Sequence, residues 1–304
     1  MSITPDDVER AQRRIEGRVR ETPVIRHGGL ALKLECLQHA GSFKPRGAFN
    51  RVLAAGDLPG AGLVAASGGN HGAAVSFVGK VLGIPARVYL PKTSPAAKRA
   101  NIARHGATVV VVEGYYDDAQ AAANANQQET GALMVHPYDH ADTVAGAGTL
   151  ARELDHQLAG ELDTVLVASG GGGLLAGVAA WFAGRVAVVS VEPETSQCVR
   201  AALAAGGPTD VTVAGVAADS LGAKRIGSVP WEVVRRHVAR AVVVTDDAIR
   251  AAQRALWDEL RIPAEPGGAT AFAAVSSGVY VPAPRERVAV IVCGANGDPA
   301  FFAG

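Results

Sequence analysis

Lys44 is the residue whose setting most favours chemistry. It lies in Gly41-Ser42-Phe43-Lys44-Pro45-Arg46-Gly47-Ala48, a run of small and apolar residues just before a helical stretch. A lysine in water stays charged, and that is the common fate of the residue type. A lysine set among small residues is partly desolvated, which lowers its pKa and frees a nucleophilic amine. Such an amine suits a Schiff base with an aldehyde cofactor. Gly41, Gly47 and Ala48 are expected to leave room for a flat ring, with Phe43 packed nearby. Arg46 is expected to pair within the fold.

Two loops downstream could work with that lysine. Ala66-Ser67-Gly68-Gly69-Asn70-His71-Gly72-Ala73 follows an apolar run and opens a helical one. As a plain turn, Ser67 or Asn70 would cap the helix. As a binding loop, its glycines let the backbone approach a ligand, and N–H groups at the helix start attract an anion. His71 is expected to contribute backbone rather than imidazole. The second loop is Ser169-Gly170-Gly171-Gly172-Gly173-Leu174-Leu175-Ala176-Gly177. Four adjacent glycines before a helix read as a phosphate cradle. A different class is open here. Gly171-x-Gly173-x-x-Ala176, with Glu192 ending the next strand, fits the fingerprint of a Rossmann NAD-dependent oxidoreductase. That reading leaves Lys44 and the Asn70 loop without a task. Cys293 follows the last apolar run, where loops line ligand crevices in open α/β sheets. A small buried hydrophobe is its alternative role.

The elements that must position these residues are short β-branched runs at 62–66, 86–90, 107–112, 164–167, 186–191 and 288–292. Alanine-rich helical stretches at 70–82, 95–105 and 117–130 separate several of them. The alternation predicts an α/β fold with parallel or mostly parallel sheets flanked by helices, and the continuous apolar runs predict strands buried on both faces. Thr4-Pro5-Asp6-Asp7 reads as one helix start, and Thr245-Asp246-Asp247 as another whose helix runs to about Leu260. Nothing long enough for a regulatory domain is read after it.

The chain has 304 residues, about two domains' worth, and 48% of them are hydrophobic. Lys+Arg and Asp+Glu balance at 29 each, which gives no support for a nucleic-acid surface. Cys36, Cys198 and Cys293 lie far apart, with neither disulfide nor zinc spacing, so a reducing, cytoplasmic setting is expected. Residues 1–7 read as no signal segment, and the apolar stretches break too soon to span a bilayer.

Taken jointly, these segments resemble the serine/threonine dehydratase family of pyridoxal-phosphate enzymes. His136-Pro137-Tyr138-Asp139, Ala145-Gly146-Ala147-Gly148-Thr149 and Ala264-Glu265-Pro266-Gly267-Gly268-Ala269 carry the likeness along nearly the whole chain. The resemblance implies a tryptophan-synthase-β-like fold of two domains, residues 1–50 with 147–304 as the larger and 51–146 as the smaller. Pyridoxal 5'-phosphate would lie in the cleft between them. Lys44 would carry the Schiff base and, once displaced by the substrate amine, act as general base. Phe43, Asn70, Gly170, Gly171, Gly172, Gly173, Leu174 and Cys293 would bind the cofactor, Asn70 at the phenolic oxygen and Cys293 at the pyridine nitrogen. Ser67, Gly68, Gly69, Asn70 and His71 would bind the substrate carboxylate.

The implied reaction is β-elimination from L-threonine or L-serine to a 2-oxo acid and ammonia by a homodimer. A 3-hydroxyaspartate dehydratase or a β-replacement synthase is the alternative. Two departures narrow the choice. Gly68 stands where racemase-like members carry a proton-bearing serine, and Cys198 stands where a metal-binding member has an aspartate beside the counterpart of Glu192. No metal is therefore expected.

Overall fold

The computed structural model describes residues 3–57 and 60–302. The first two residues of the N-terminal reading above lie outside that range. The chain starts as the Thr4 motif suggests. The Asp7 carboxylate accepts the Thr4 N–H at 2.9 Å, and the Thr4 hydroxyl faces the Asp7 N–H, a capping box for α1 (Pro5–Ile15). A short hairpin follows, β1 (Val24–His27) and β2 (Leu30–Lys33), then α2 (Lys44–Ala54).

The middle of the chain runs β3 (Leu63–Ala66), α3 (Asn70–Leu82), β4 (Ala86–Pro91), α4 (Ala96–Ala103), β5 (Thr108–Val112), α5 (Tyr116–Thr130), β6 (Leu133–Met134). Next come α6 (Ala141–Gln157), β7 (Thr164–Ala168), α7 (Gly173–Phe182), β8 (Ala187–Pro193), α8 (Cys198–Ala205), α9 (Ala218–Leu221), α10 (Ser228–His237) and β9 (Val238–Val244). The chain finishes with α11 (Asp246–Leu260), α12 (Pro266–Ser276) and β10 (Val288–Ile291).

These strands form two sheets. The smaller has the order β5-β4-β3-β6 and every pair in it is parallel. The larger has the order β1-β2-β10-β7-β8-β9, parallel except where β1 meets β2. In each sheet the chain steps outward in one direction from one strand and later returns to that strand's other side. It moves from β3 to β4 and β5, then back to β6 beside β3. It moves from β7 to β8 and β9, then back to β10 beside β7. Loops leaving the two strands at such a reversal diverge and open a crevice beyond the strand ends. The loops concerned follow β3, β6, β7 and β10. Three of them hold residues 67–70, 169–172 and 293–296, the segments singled out in the sequence.

Burial on both faces holds for β3, β7 and β10, whose residues are all buried. It fails at β5, where Val111 is 44% exposed. That strand is the sheet's edge, so it lacks a neighbour on one side and sits away from the centre of the covering helices. Among the described residues no helix is long and apolar enough to cross a membrane.

A buried ionic network anchors α2. The Arg46 guanidinium donates to both oxygens of Glu35 at 2.7 and 2.8 Å and to Glu153 on α6 at 2.9 Å. Lys33 on β2 pairs with Glu153 and donates to the Gln157 amide oxygen at 2.8 Å and to the Thr22 carbonyl at 2.7 Å. Burial alone would lower Arg46, but Glu35 and Glu153 push it up instead. Two cations face two carboxylates with their hydrogen bonds filled, the condition under which buried charge is tolerated.

Candidate active site

Lys44 opens α2, with Phe43 as the N-cap residue. Its backbone is clasped by the loop after β10. The Phe43 N–H donates to the Cys293 carbonyl at 3.1 Å, the Ala295 N–H to the Gly41 carbonyl at 2.9 Å, and Ser42 bridges Gly294. Among the described residues the Lys44 Nζ makes one hydrogen bond, to the Pro137 carbonyl at 2.9 Å, and it lies 5.0 Å from the centre of the Phe43 ring. The side chain keeps some accessible surface, but the protein around it desolvates the amine and pushes it down to about 8. Glu265 and Cys293 are close enough to pull the other way.

The glycines around Lys44 do not all do what the sequence suggests. A Cβ on Gly47 would lie 2.7 Å from the Thr143 carbonyl oxygen, and one on Gly146 only 2.8 Å from Gly47 Cα. Gly47 and fully buried Ala48 let α2 pack against its neighbours rather than leave room for a ring. Gly41, at φ +72°, is needed because a Cβ there would meet the Asn296 amide.

The loop after β3 starts α3 without help from a side chain. Gly69 is the N-cap residue, and the Ser67 hydroxyl turns inward to accept the Gly69 N–H at 3.2 Å. Among the described residues nothing accepts the N–H groups of Asn70, His71 and Gly72 at the positive end of the helix dipole. His71 is tied down. Its Nε2 lies 2.6 Å from the Val135 carbonyl, and burial pushes the imidazole down to about 3, so Nε2 is the donor of a neutral ring. Asn70 spends both ends of its amide. Its Nδ2 donates to Glu265, and its Oδ1 accepts Asn296 Nδ2 at 2.7 Å.

The loop after β7 repeats the pattern. Gly172, at φ +87°, is the N-cap residue of α7, again with no side-chain cap. Among the described residues nothing accepts the N–H groups of Gly170, Gly171 or Gly172. A Cβ on Gly171 would lie 2.6 Å from the Tyr138 ring, and one on Gly173 would lie 2.7 Å from Tyr138 Cβ. The segment Pro137-Tyr138 after β6 thus touches Lys44 on one side and the tetraglycine turn on the other. Leu174 is buried in the first turn of α7.

Sequence reasoning assigned Glu265 and Asn296 no task. Glu265 precedes α12 and burial pushes its carboxyl up to about 7. Cys293 is buried, its thiol donates weakly to the Gly267 carbonyl at 3.4 Å, and burial pushes its pKa up. Sequence signals existed only as the short stretches Ala264-Glu265-Pro266 and Ala295-Asn296-Gly297 at element ends.

Tyr115 is 76% exposed and projects to solvent, whereas His136 is half-buried with Nδ1 accepting the Asp139 N–H at 2.8 Å. Glu192 is also spent. Its two oxygens accept the N–H groups of Val199 and Arg200 at 2.7 and 2.8 Å, capping α8, while the Cys198 thiol donates to the Gly170 carbonyl. This geometry removes Glu192 from the place that a ribose-binding acid would need. A surface groove of about 510 Å³ between residues 194 and 214 lies outside this constellation.

Comparison with known proteins bears on the arrangement. The family described as "Pyridoxal-phosphate dependent enzyme" matches residues 15–294. Phenylserine dehydratase of Ralstonia pickettii is 39% identical over 302 residues, covering 95% of this chain and 92% of that protein. The structure of maize serine racemase superposes with a TM-score of 0.92 at 33% identity, covering all of this chain and 96% of that one. A threonine deaminase from T.th. superposes with a TM-score of 0.89 at 32% identity, covering 97% of this chain and 99% of that one.

Proposed function

The chain belongs to the pyridoxal-phosphate dependent enzymes, and from that premise we propose that it is an ammonia-lyase removing water from a small β-hydroxy amino acid. Threonine and serine are the leading substrates, and the likeness to a phenylserine dehydratase adds an aryl-substituted one. The observation that carries this reading is Lys44 itself. It is a desolvated amine with one carbonyl partner, set at a crevice onto which two uncapped helix starts open.

The residues present suit the cofactor. Unspent N–H groups at residues 170–172 answer a phosphate, Lys44 answers an aldehyde, and Cys293 offers only a weak thiol to a ring nitrogen. When bound, pyridoxal phosphate supplies an aldehyde for the amine and a conjugated ring that accepts the electron pair left by the α-proton. The protein's own contribution is positioning and proton transfer. The amine of Lys44, with its pKa near neutrality, takes the α-proton. The first-turn N–H groups of α3 bind the carboxylate of the amino acid. The β-hydroxyl leaves as water with the proton that Lys44 took from the α-carbon, and the released enamine hydrolyses to the 2-oxo acid and ammonia.

Gly68 has no proton to return to the opposite face, which favours elimination over racemisation. With residues 51–146 as the smaller unit, the Lys98–Asp219 pair at 2.7 Å and the Lys224–Asp117 pair at 3.0 Å join it to the larger unit across the crevice. Closure of this kind excludes water from the reacting groups.

The test is a panel of L-threonine, L-serine, L-phenylserine and 3-hydroxyaspartate with cofactor-loaded protein and no added acceptor. Stoichiometric 2-oxo acid and ammonia are expected from at least one of them. Turnover only with an added nucleophile would make the protein a β-replacement synthase, and inversion without ammonia would make it a racemase.

A further inference from the structure

Three site segments meet at Asn296. Its Nδ2 donates to the Ala40 carbonyl at 2.7 Å and to Asn70 Oδ1 at 2.7 Å. The first of these bonds decides the second. A backbone carbonyl only accepts, so the end of the Asn296 amide facing Ala40 must be its NH₂. The same NH₂ faces Asn70, so Asn70 must present its oxygen there. The Asn70 NH₂ then points the other way, and one of its hydrogens goes to Glu265. Its second Nδ2 hydrogen is left as the side chain's one unspent donor among the described residues. Ala40, in the turn before Lys44, is held at φ +55°, a conformation costly for a residue with a side chain.

We propose that Asn296 is a positioning residue which, with Glu265, orients the Asn70 amide so that a hydrogen, never the oxygen, is offered to the cofactor's ring oxygen. The inference rests on the reading of this crevice as the pyridoxal-phosphate site. A donor at that oxygen favours its ionised, yellow form over the neutral, near-ultraviolet one, because hydrogen bonding to a charged form stabilises it. The amide with its oxygen turned in would do the reverse. A structural staple alone would hold the loops together without moving this balance.

The experiment reads the ratio of visible to near-ultraviolet absorbance of bound cofactor in the holoenzyme, with attachment at Lys44 checked by borohydride reduction and peptide mass. Asn296→Leu keeps the branching and the number of heavy atoms and removes both donations. Its ratio is expected to fall about fivefold, the shift that losing one ordinary hydrogen bond produces. In an Asn70→Ala background the same substitution is expected to move the ratio no further. An unchanged ratio, or an equal shift with and without the Asn70 amide, overturns the proposal. Should Asn296→Leu not fold, Glu265→Gln against Glu265→Leu decides. Gln keeps an accepting oxygen and is expected to preserve the ratio, whereas Leu lowers it; equal behaviour of the two overturns the relay. A parent protein that forms no Lys44 adduct overturns the site reading itself, and a parent adduct with an unmoved ratio overturns the relay alone.

Discussion

Arg46 and Lys44 stand two residues apart on one helix and are treated in opposite ways. Arg46 is fully buried, with its guanidinium donating to two carboxylates. Lys44 borders the crevice with, among the described residues, a single backbone carbonyl for its amine, and its pKa falls to about 8. A cation paired with two carboxylates stays charged and joins elements. A cation left short of partners gives up its proton readily, which makes it useful and costs stability. Helix starts divide in the same way. Thr245 caps α11 by accepting the Ala248 N–H at 3.1 Å, whereas α3 and α7 begin at glycine with their donors unspent. In both pairs the satisfied group belongs to the scaffold, and the unsatisfied one borders the crevice.

Substituting each side of this contrast should break different things. Lys44→Ala is expected to lower turnover by about 10³-fold or more and to abolish the yellow colour with bound cofactor, because the proposed function makes this amine both the attachment point and the proton acceptor. Steady-state assay and absorbance check this. Arg46→Met should act on stability instead. It strands Glu35 without its main partner and is expected to cost about 3–5 kcal/mol in chemical denaturation.

The cost of Lys44 can be measured directly in cofactor-free protein. Its folded pKa lies below the value of 10.5 for a free lysine, so at neutral pH the folded state carries a charge it disfavours. Lys44→Met is expected to stabilise this form by at most about 3 kcal/mol near pH 7. The unfolded chain binds the extra proton between about pH 8 and 10.5, so the parent gains stability across that window and the advantage of the variant shrinks. Thermal melts as a function of pH test it, and an advantage that grew with pH would contradict the account. The smallest effect belongs to a capped helix. Thr245→Ala is expected to cost about 1 kcal/mol and leave the cofactor spectrum unchanged.

Much of this was legible without coordinates. The bounds of α3 and α11, most central strands, and the three segments holding Lys44, Asn70 and the glycine turn follow from local pattern. Arg46 was expected to pair, but its partners Glu35 and Glu153 could not be named, because they lie 11 and 107 residues away. The hairpin of β1 and β2 gave little signal, since β1 carries Arg26 and His27 in its four residues and is not buried. Gly47 misled for a related reason. A missing side chain shows that something comes close and does not say whether it is a ligand or, as here, the Thr143 carbonyl.

Residue types and periodicity settled which groups are available: an amine among small residues, glycines at helix starts, strands apolar enough to be covered. Those are properties of a few consecutive residues, and short-range sterics and solvation are enough to set them. Which groups meet is another matter. Glu265 reaches Asn70 across 195 positions and Asn296 reaches it across 226. Those meetings exist because both sheets reverse their strand order and bring four distant loops to one crevice. Hydrogen-bond direction there is imposed by the Ala40 carbonyl, a backbone group identical in every residue. No side-chain alphabet encodes it, so it becomes visible only once the chain has closed on itself.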